Sequence, residues 1–235
     1  MMSTALTTFI AVFAALFPVI NPLGDGPIFL NLVQGCSEEV KNRLARSVSI
    51  NCFVLLLGAM LVGPKLLLFF GITLPALKLA GGAVVIAMGW NLLNQKSSTN
   101  KKDEDSAGIT DETANASVFF PLTLPLTVGP GSIATAISLV AGFQSTETLH
   151  LANELPTVLG TLAALIALCI VIYVIYREAS GMQRLLGEAG TNVLMRLFAF
   201  ILLAIGVQIF LGGINGFSID AATLISEHLI GHSKN

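Results

Sequence analysis

Two short stretches hold the residues able to handle a polar ligand. In "FPVINPLGDGPIFL" (17–30), Asn21 and Asp25 stand among Pro18, Pro22, Pro27, Gly24 and Gly26. In "FPLTLPLTVGPGSI" (120–133), Thr127 and Ser132 stand among Pro121, Pro125, Pro130, Gly129 and Gly131. Proline removes a backbone donor and crowds the preceding turn, and glycine adds backbone freedom, so each stretch should end one half-helix and begin another. A helix start offers free N–H groups and a positive dipole end, which favour an anion or carboxylate. The starts are predicted at Pro27 and Pro130, with donor amides around Ile28, Gly131 and Ser132. Asn21, Asp25, Thr127 and Ser132 would hold a hydroxyl or amine, and the unwound carbonyls would accept from an ammonium group or bind a cation. The expected ligand is a small zwitterion, gathered by Asn21, Gly24, Asp25, Gly26, Ile28, Thr127, Gly129, Gly131 and Ser132.

Asp25 has two readings. An ionisable side chain within a span is expensive and marks an amine partner, a proton-coupling site or a cation ligand; in the plainer reading it caps the half-helix starting at Pro27. Asn31, Asn51, Asn91 and Gln208 suit hydrogen bonds between helices more often than a transport path. Cys36, Cys52 and Cys169 have no paired spacing and read as packing residues. His150, His228 and His232 lack metal-ligand spacing, so no metal or cofactor is expected, and coupling to H+ or Na+ is left open.

These residues need elements to hold them, and the composition says which. Charged residues are 11% and hydrophobic ones 54% of the 235, with mean hydropathy +0.82, which excludes a soluble globular domain. A net charge of −2 provides no basic field for nucleic acid. The fold class is all-α and polytopic: runs near 4–34, 48–70, 74–94, 117–143, 155–176 and 192–214 each reach the roughly 20 residues a crossing needs. The first run has no basic leader and is read as a retained span. "GITLP" (71–75) is the tightest connection, and "NQKSSTNKKDEDSAGITDETANA" is a polar loop without structure of its own.

Lys41, Arg43, Arg46, Lys96, Lys101, Lys102, Arg177, Arg184 and Arg196 flank the odd-numbered connectors, against Lys65, Lys78 and Lys234 on the other side. The basic side is cytoplasmic, so both termini face outward. The same bias makes 117–143 a full crossing rather than a re-entrant hairpin. Trp90 is an interface anchor, Gly81, Gly82, Gly89, Gly212 and Gly213 permit close packing, and "IDAATLISEHLIG" forms a short amphipathic helix on the outer surface.

"FPVINPLGDGP" (17–27) and "FPLTLPLTVGP" (120–130) share Phe, Pro, Pro, Leu, Gly and Pro at one constant offset, and each opens a group of three spans. A fainter echo links 77–89 to 195–207. An odd number of spans per repeat forces the second copy to enter from the opposite side, as in many secondary transporters. The chain therefore divides into a first three-helix repeat (1–95), a cytoplasmic loop (96–116), a second repeat (117–215) and an outward tail (216–235). Unwound backbone must face protein or water, so the two breaks should face each other inside the bundle. The residue count places the first of them toward the cytoplasmic side.

"NPLGDGPIFL" and "PLTVGPGSI" resemble the paired signature of the MarC family of bacterial and archaeal inner-membrane proteins. The likeness runs from the first span through "GVQIFLGGI" (206–214). It implies six spans with both termini outside (periplasmic), and a transporter of neutral amino acids akin to LysE-type exporters. It carries over Asn21, Pro22, Gly24 and Pro27 in the first signature and Pro125, Gly129, Pro130 and Gly131 in the second, and leaves the position of Asp25 open. The function expected is a secondary transporter, an exporter or exchanger of small neutral amino acids or similar metabolites; no GxxxxGK[ST] motif supplies ATP binding. The competing readings are a channel, a non-transporting scaffold and, because of "LGDG", an intramembrane aspartyl protease, which would need a second aspartate beside Asp25. Expected partners are the lipid bilayer, a small-molecule substrate and, in a homo-oligomer, further copies of the chain.

Overall fold

The computed structural model of the chain describes residues 2–94, 109–144 and 151–232. The expectations placed on Lys96, Lys101, Lys102, His150 and Lys234 lie outside the described residues. In order, the elements are α1 (Met2–Ile20), α2 (Pro22–Leu32), α3 (Glu38–Phe70), α4 (Leu74–Asn94), α5 (Ala114–Ser117), α6 (Pro130–Gln144), α7 (Leu151–Arg177) and α8 (Ala179–His232). A wide-turned helical segment, Val118–Thr127, joins α5 to α6. Gly187, at φ 65°, ψ 177°, divides α8 into a short lead-in and one long helix. The C-terminal segment is part of that long helix, not a separate element.

Among the described residues, five helical stretches are long and apolar enough to cross a membrane: Met2–Ile20, Glu38–Phe70, Leu74–Asn94, Leu155–Arg177 and Ala189–Ile219. A sixth crossing would consist of Ala114–Thr127 and Pro130–Gly142, which meet at 68°. The first crossing is complete in α1 alone, since 19 residues rise about 28 Å. The break therefore lies at the end of that crossing and not within a span running to residue 34.

Almost every packed pair joins an element from before the 95–108 segment to one from after it. α4 lies along α8, α1 along α7, α3 against α7, α6 and the 118–127 segment, α6 against α4, and α2 against α7 and α8. The main core threads Val12, Leu16 and Ile20 of α1, Leu44, Val48 and Leu56 of α3, and Leu165, Leu168 and Ile172 of α7. Ser49 Oγ donates to the Cys169 carbonyl across the α3–α7 contact.

Glycines set the closest approach, between α4 and α8. A Cβ on Gly82 would stand 2.5 Å from the Phe210 nitrogen, and one on Gly89 2.7 Å from that of Leu203. From the other helix, a Cβ on Gly206 would meet the Ile86 nitrogen at 2.7 Å and one on Gly213 that of Leu79 at 2.8 Å. Gly212 has open space in front of it, contrary to the packing role expected of it. Apolar side chains such as Leu68, Phe69, Trp90 and Phe200 point outward from the bundle.

Candidate functional site

The first break is made by Asn21. Its backbone is left-handed, φ 54°, ψ 49°, a conformation asparagine tolerates better than most residues. Its N–H closes α1 on the Phe17 carbonyl at 2.9 Å, and its own carbonyl accepts from Gly24 and Asp25 N–H, both at 3.0 Å. The helix start is therefore Pro22, not Pro27. A proline fits the first helical position, where its missing N–H is lost to no bond, whereas Pro27 lies five residues inside α2. Ile28 is consequently beyond the first turn and offers no free amide.

The Asn21 carboxamide folds over this first turn. A Cβ on Gly24 would collide with its Nδ2, so glycine is what lets it lie there. Asn21 is buried, and its Nδ2 has no hydrogen-bond partner among the described residues. A buried donor left this way costs about 1–3 kcal/mol. Leu23 N–H, in the first turn of α2, comes before any carbonyl of α2 that could accept from it.

Asp25 is buried in the next positions of α2, in the neighbourhood of Tyr176 of α7 and Cys52 of α3. Tyr176 stacks on Phe29, ring centroids 4.4 Å apart, and its hydroxyl lies 2.8 Å from Thr127 Oγ1. Thr127 has one proton and donates it to the Leu122 carbonyl at 2.8 Å, so the Tyr176 hydroxyl is the donor to Thr127. This cluster joins α2, α3, α7 and the 118–127 segment. Gly26 packs toward Ile175 and Met182 on the neighbouring face.

The second motif breaks differently. Phe120 and Leu124 are extended, as residues before proline prefer, and α6 begins at Pro130. Pro121 and Pro125 stand inside the wide-turned segment, and Pro18 stands inside α1. Gly131 and Ser132 lie in the first turn of α6, ahead of the bond from Ile133 N–H to the Gly129 carbonyl at 3.2 Å. Ser132 is buried. Gly129 and Gly131 face α4: their Cβ positions meet Met88 and Val85 respectively. The two helix starts thus do not form one cradle. α6 is held by α1, α3 and α4, and α2 by α7, α8 and the 118–127 segment; Thr127 meets the first motif through Tyr176, which stacks on Phe29.

Outside the cluster, Asn51 donates to Thr123 Oγ1 at 3.5 Å, and Gln34 to Asn31 Oδ1 at 3.0 Å. Asn91 and Gln208 are exposed on the outer faces of their helices.

A family model described as "MarC family integral membrane protein" matches residues 6–218. The chain belongs to the MarC family. It is similar to a UPF0056 membrane protein of Pyrococcus abyssi, 32% identical over 92% of this chain and 98% of that one. It is 33% identical to the UPF0056 membrane protein YvbG of Bacillus subtilis over 87% of this chain and 93% of that one. It is 30% identical to the UPF0056 inner membrane protein MarC of Salmonella arizonae over 85% of this chain and 90% of that one. No solved structure matches the chain.

The MarC match contains both motifs and the whole cluster around Asp25. Tyr176 and Cys52 were absent from the sequence reading of the site. Cys52 reads as packing, and Tyr176 ends the apolar run "IVIYVIYR". The only hint was that the chain has just two tyrosines.

Proposed function

We propose that this MarC family protein is a secondary transporter, an exporter or exchanger of small neutral amino acids or similar small metabolites. Its site lies at the start of α2. The observation that carries the reading is the Asn21 amide, buried and without a partner among the described residues, at the first turn of α2 that also carries Asp25. A buried donor pair next to a helix start suits a substrate carboxylate. Asp25 suits the ammonium group or a coupling H+ or Na+.

Alternating access is supported by how the helices pair. With α2 counted with the first span, exchanging the first span with the fourth, the second with the fifth and the third with the sixth carries each packed pair between the two halves onto another such pair, as an inverted repeat requires. The two residues before the second proline of each motif, Asn21 and Leu124, both leave the helical path. In the third spans, the crossing favours a register in which Gly82 and Gly89 answer to Gly206 and Gly213, six residues from the 77–89 onto 195–207 echo. In this reading the bent 114–142 pair is a full crossing. Both termini lie outside, in the periplasm of a bacterium whose inner membrane holds the protein.

The test is counterflow of labelled alanine, glycine and serine in proteoliposomes. Asn21→Gly keeps the left-handed backbone and deletes the amide. It should raise KM about tenfold at little loss of fold, and Asp25→Asn should slow exchange. Flux that does not saturate would make the protein a channel, and no counterflow of any of the three would remove the amino-acid assignment.

A further inference from the structure

On the outer side of the α3–α7 contact runs an open groove of about 510 Å3, whose walls include Arg46, Ile50, Phe53, Ile166, Ile170 and Tyr173. Both helices are long enough to cross the membrane. Ile50, Ile166 and Ile170 are each half exposed on that outer face, so the groove opens toward hydrocarbon. Its floor is tied by the Ser49 to Cys169 hydrogen bond.

The two ends of the groove differ. α3 and α7 run antiparallel there, which puts Arg46, near the start of α3, at the same end as Tyr173, near the end of α7. Arg177, one turn further, donates to the Tyr173 hydroxyl at 3.4 Å and stands over its ring at 6.0 Å. Arg177 also has Glu178 at 3.6 Å, but Arg46 has no ion-pair partner among the described residues. An apolar cleft along two spans thus ends in two guanidinium groups and a phenol. From Arg46 to Phe53 it follows about 10 Å of helix.

We propose that this groove binds one anionic phospholipid, its phosphate on Arg46 beside Arg177 and Tyr173, and one acyl chain along Ile50, Ile166 and Ile170. The guanidinium fork matches phosphate oxygens, and basic residues near the headgroup layer favour anionic lipid. A second copy of the chain fits the face poorly. A two-fold contact through it would set Arg46 against its own counterpart, a like-charge juxtaposition. The inference concerns the lipid-facing side and is independent of what the α2 site carries.

Native mass spectrometry of the detergent-released protein tests it, with phosphatidylglycerol and phosphatidylethanolamine of equal chains added in turn. Wild type should retain phosphatidylglycerol over phosphatidylethanolamine. Arg46→Gln should lower phosphatidylglycerol retention roughly fivefold, Arg46→Lys should restore part of it, and Ile170→Trp, which fills the groove, should lower retention of both lipids. Arg43→Gln, one turn before Arg46 and outside the groove, should lower phosphatidylglycerol retention by less than Arg46→Gln does. Equal retention of the two lipids, or the same loss in Arg43→Gln as in Arg46→Gln, would overturn the proposal. So would a dimer peak that Ile170→Trp dissociates, which would assign the face to a second copy.

Discussion

At the scale of single residues, the hydroxyl of Thr127 ties the 118–127 segment to α7. It donates to the Leu122 carbonyl and accepts from Tyr176, so deleting it strands two groups, whereas deleting the Tyr176 hydroxyl strands none that was donating. Thr127→Val should therefore destabilise the detergent-solubilised protein by about 1–3 kcal/mol, and Tyr176→Phe by about 0.5–1 kcal/mol, with its stacking on Phe29 kept. Thermal unfolding of the two variants and the double variant would show this as a non-additive cycle. Additive losses would mean that Tyr176 does not rely on Thr127. Thr127 was legible as a polar residue beside a proline break. Its partner was not, because a tyrosine 49 positions away in an apolar run has no local pattern to betray it.

At the scale of elements, hydropathy located the spans, because about 20 apolar residues have few alternatives to crossing a bilayer. It did not locate the break. Three prolines compete within ten residues, and the choice fell to Asn21, whose side chain and left-handed backbone end α1 ahead of Pro22. Glycine roles were legible as a class but not one by one, since which face of a helix meets a neighbour depends on the crossing. That difference is measurable. Gly82→Ala places a methyl against the Phe210 backbone, which has no rotamer to yield, so α4 and α8 must separate; the thermal midpoint should fall by several degrees, equivalent to about 1–3 kcal/mol. Gly212→Ala meets open space and should be neutral or stabilising by up to about 1 kcal/mol through helix propensity. A matching loss in both variants would contradict the close α4–α8 crossing.

At the scale of the whole molecule, the halves interleave, and one small contact fastens them where α2 ends. Ile109 N–H donates to the Leu32 carbonyl at 2.9 Å, Cys36 Sγ to the Ile109 carbonyl at 3.2 Å, and Ser37 N–H to Asp111 Oδ1 at 2.9 Å. Gly35 and Thr110 pair as an isolated parallel bridge. Burial first, and then the Asp111 carboxylate, push the Cys36 thiol up, with Lys41 opposing, so this thiol stays protonated and keeps donating at neutral pH. If alternating exposure of the α2 site separates the two halves at the end of α2, this fastening must part in every cycle. Cysteines at Gly35 and Thr110, in a Cys36→Ser background, would sit about 5 Å apart at Cα, within disulfide reach. Both positions are exposed to oxidant. Oxidation should cut counterflow to below about a tenth, and reduction should restore it, while the Cys36→Ser parent ignores both treatments. Undiminished counterflow in fully cross-linked protein would mean that the halves move as one body there, and that substrate leaves α2 by another route.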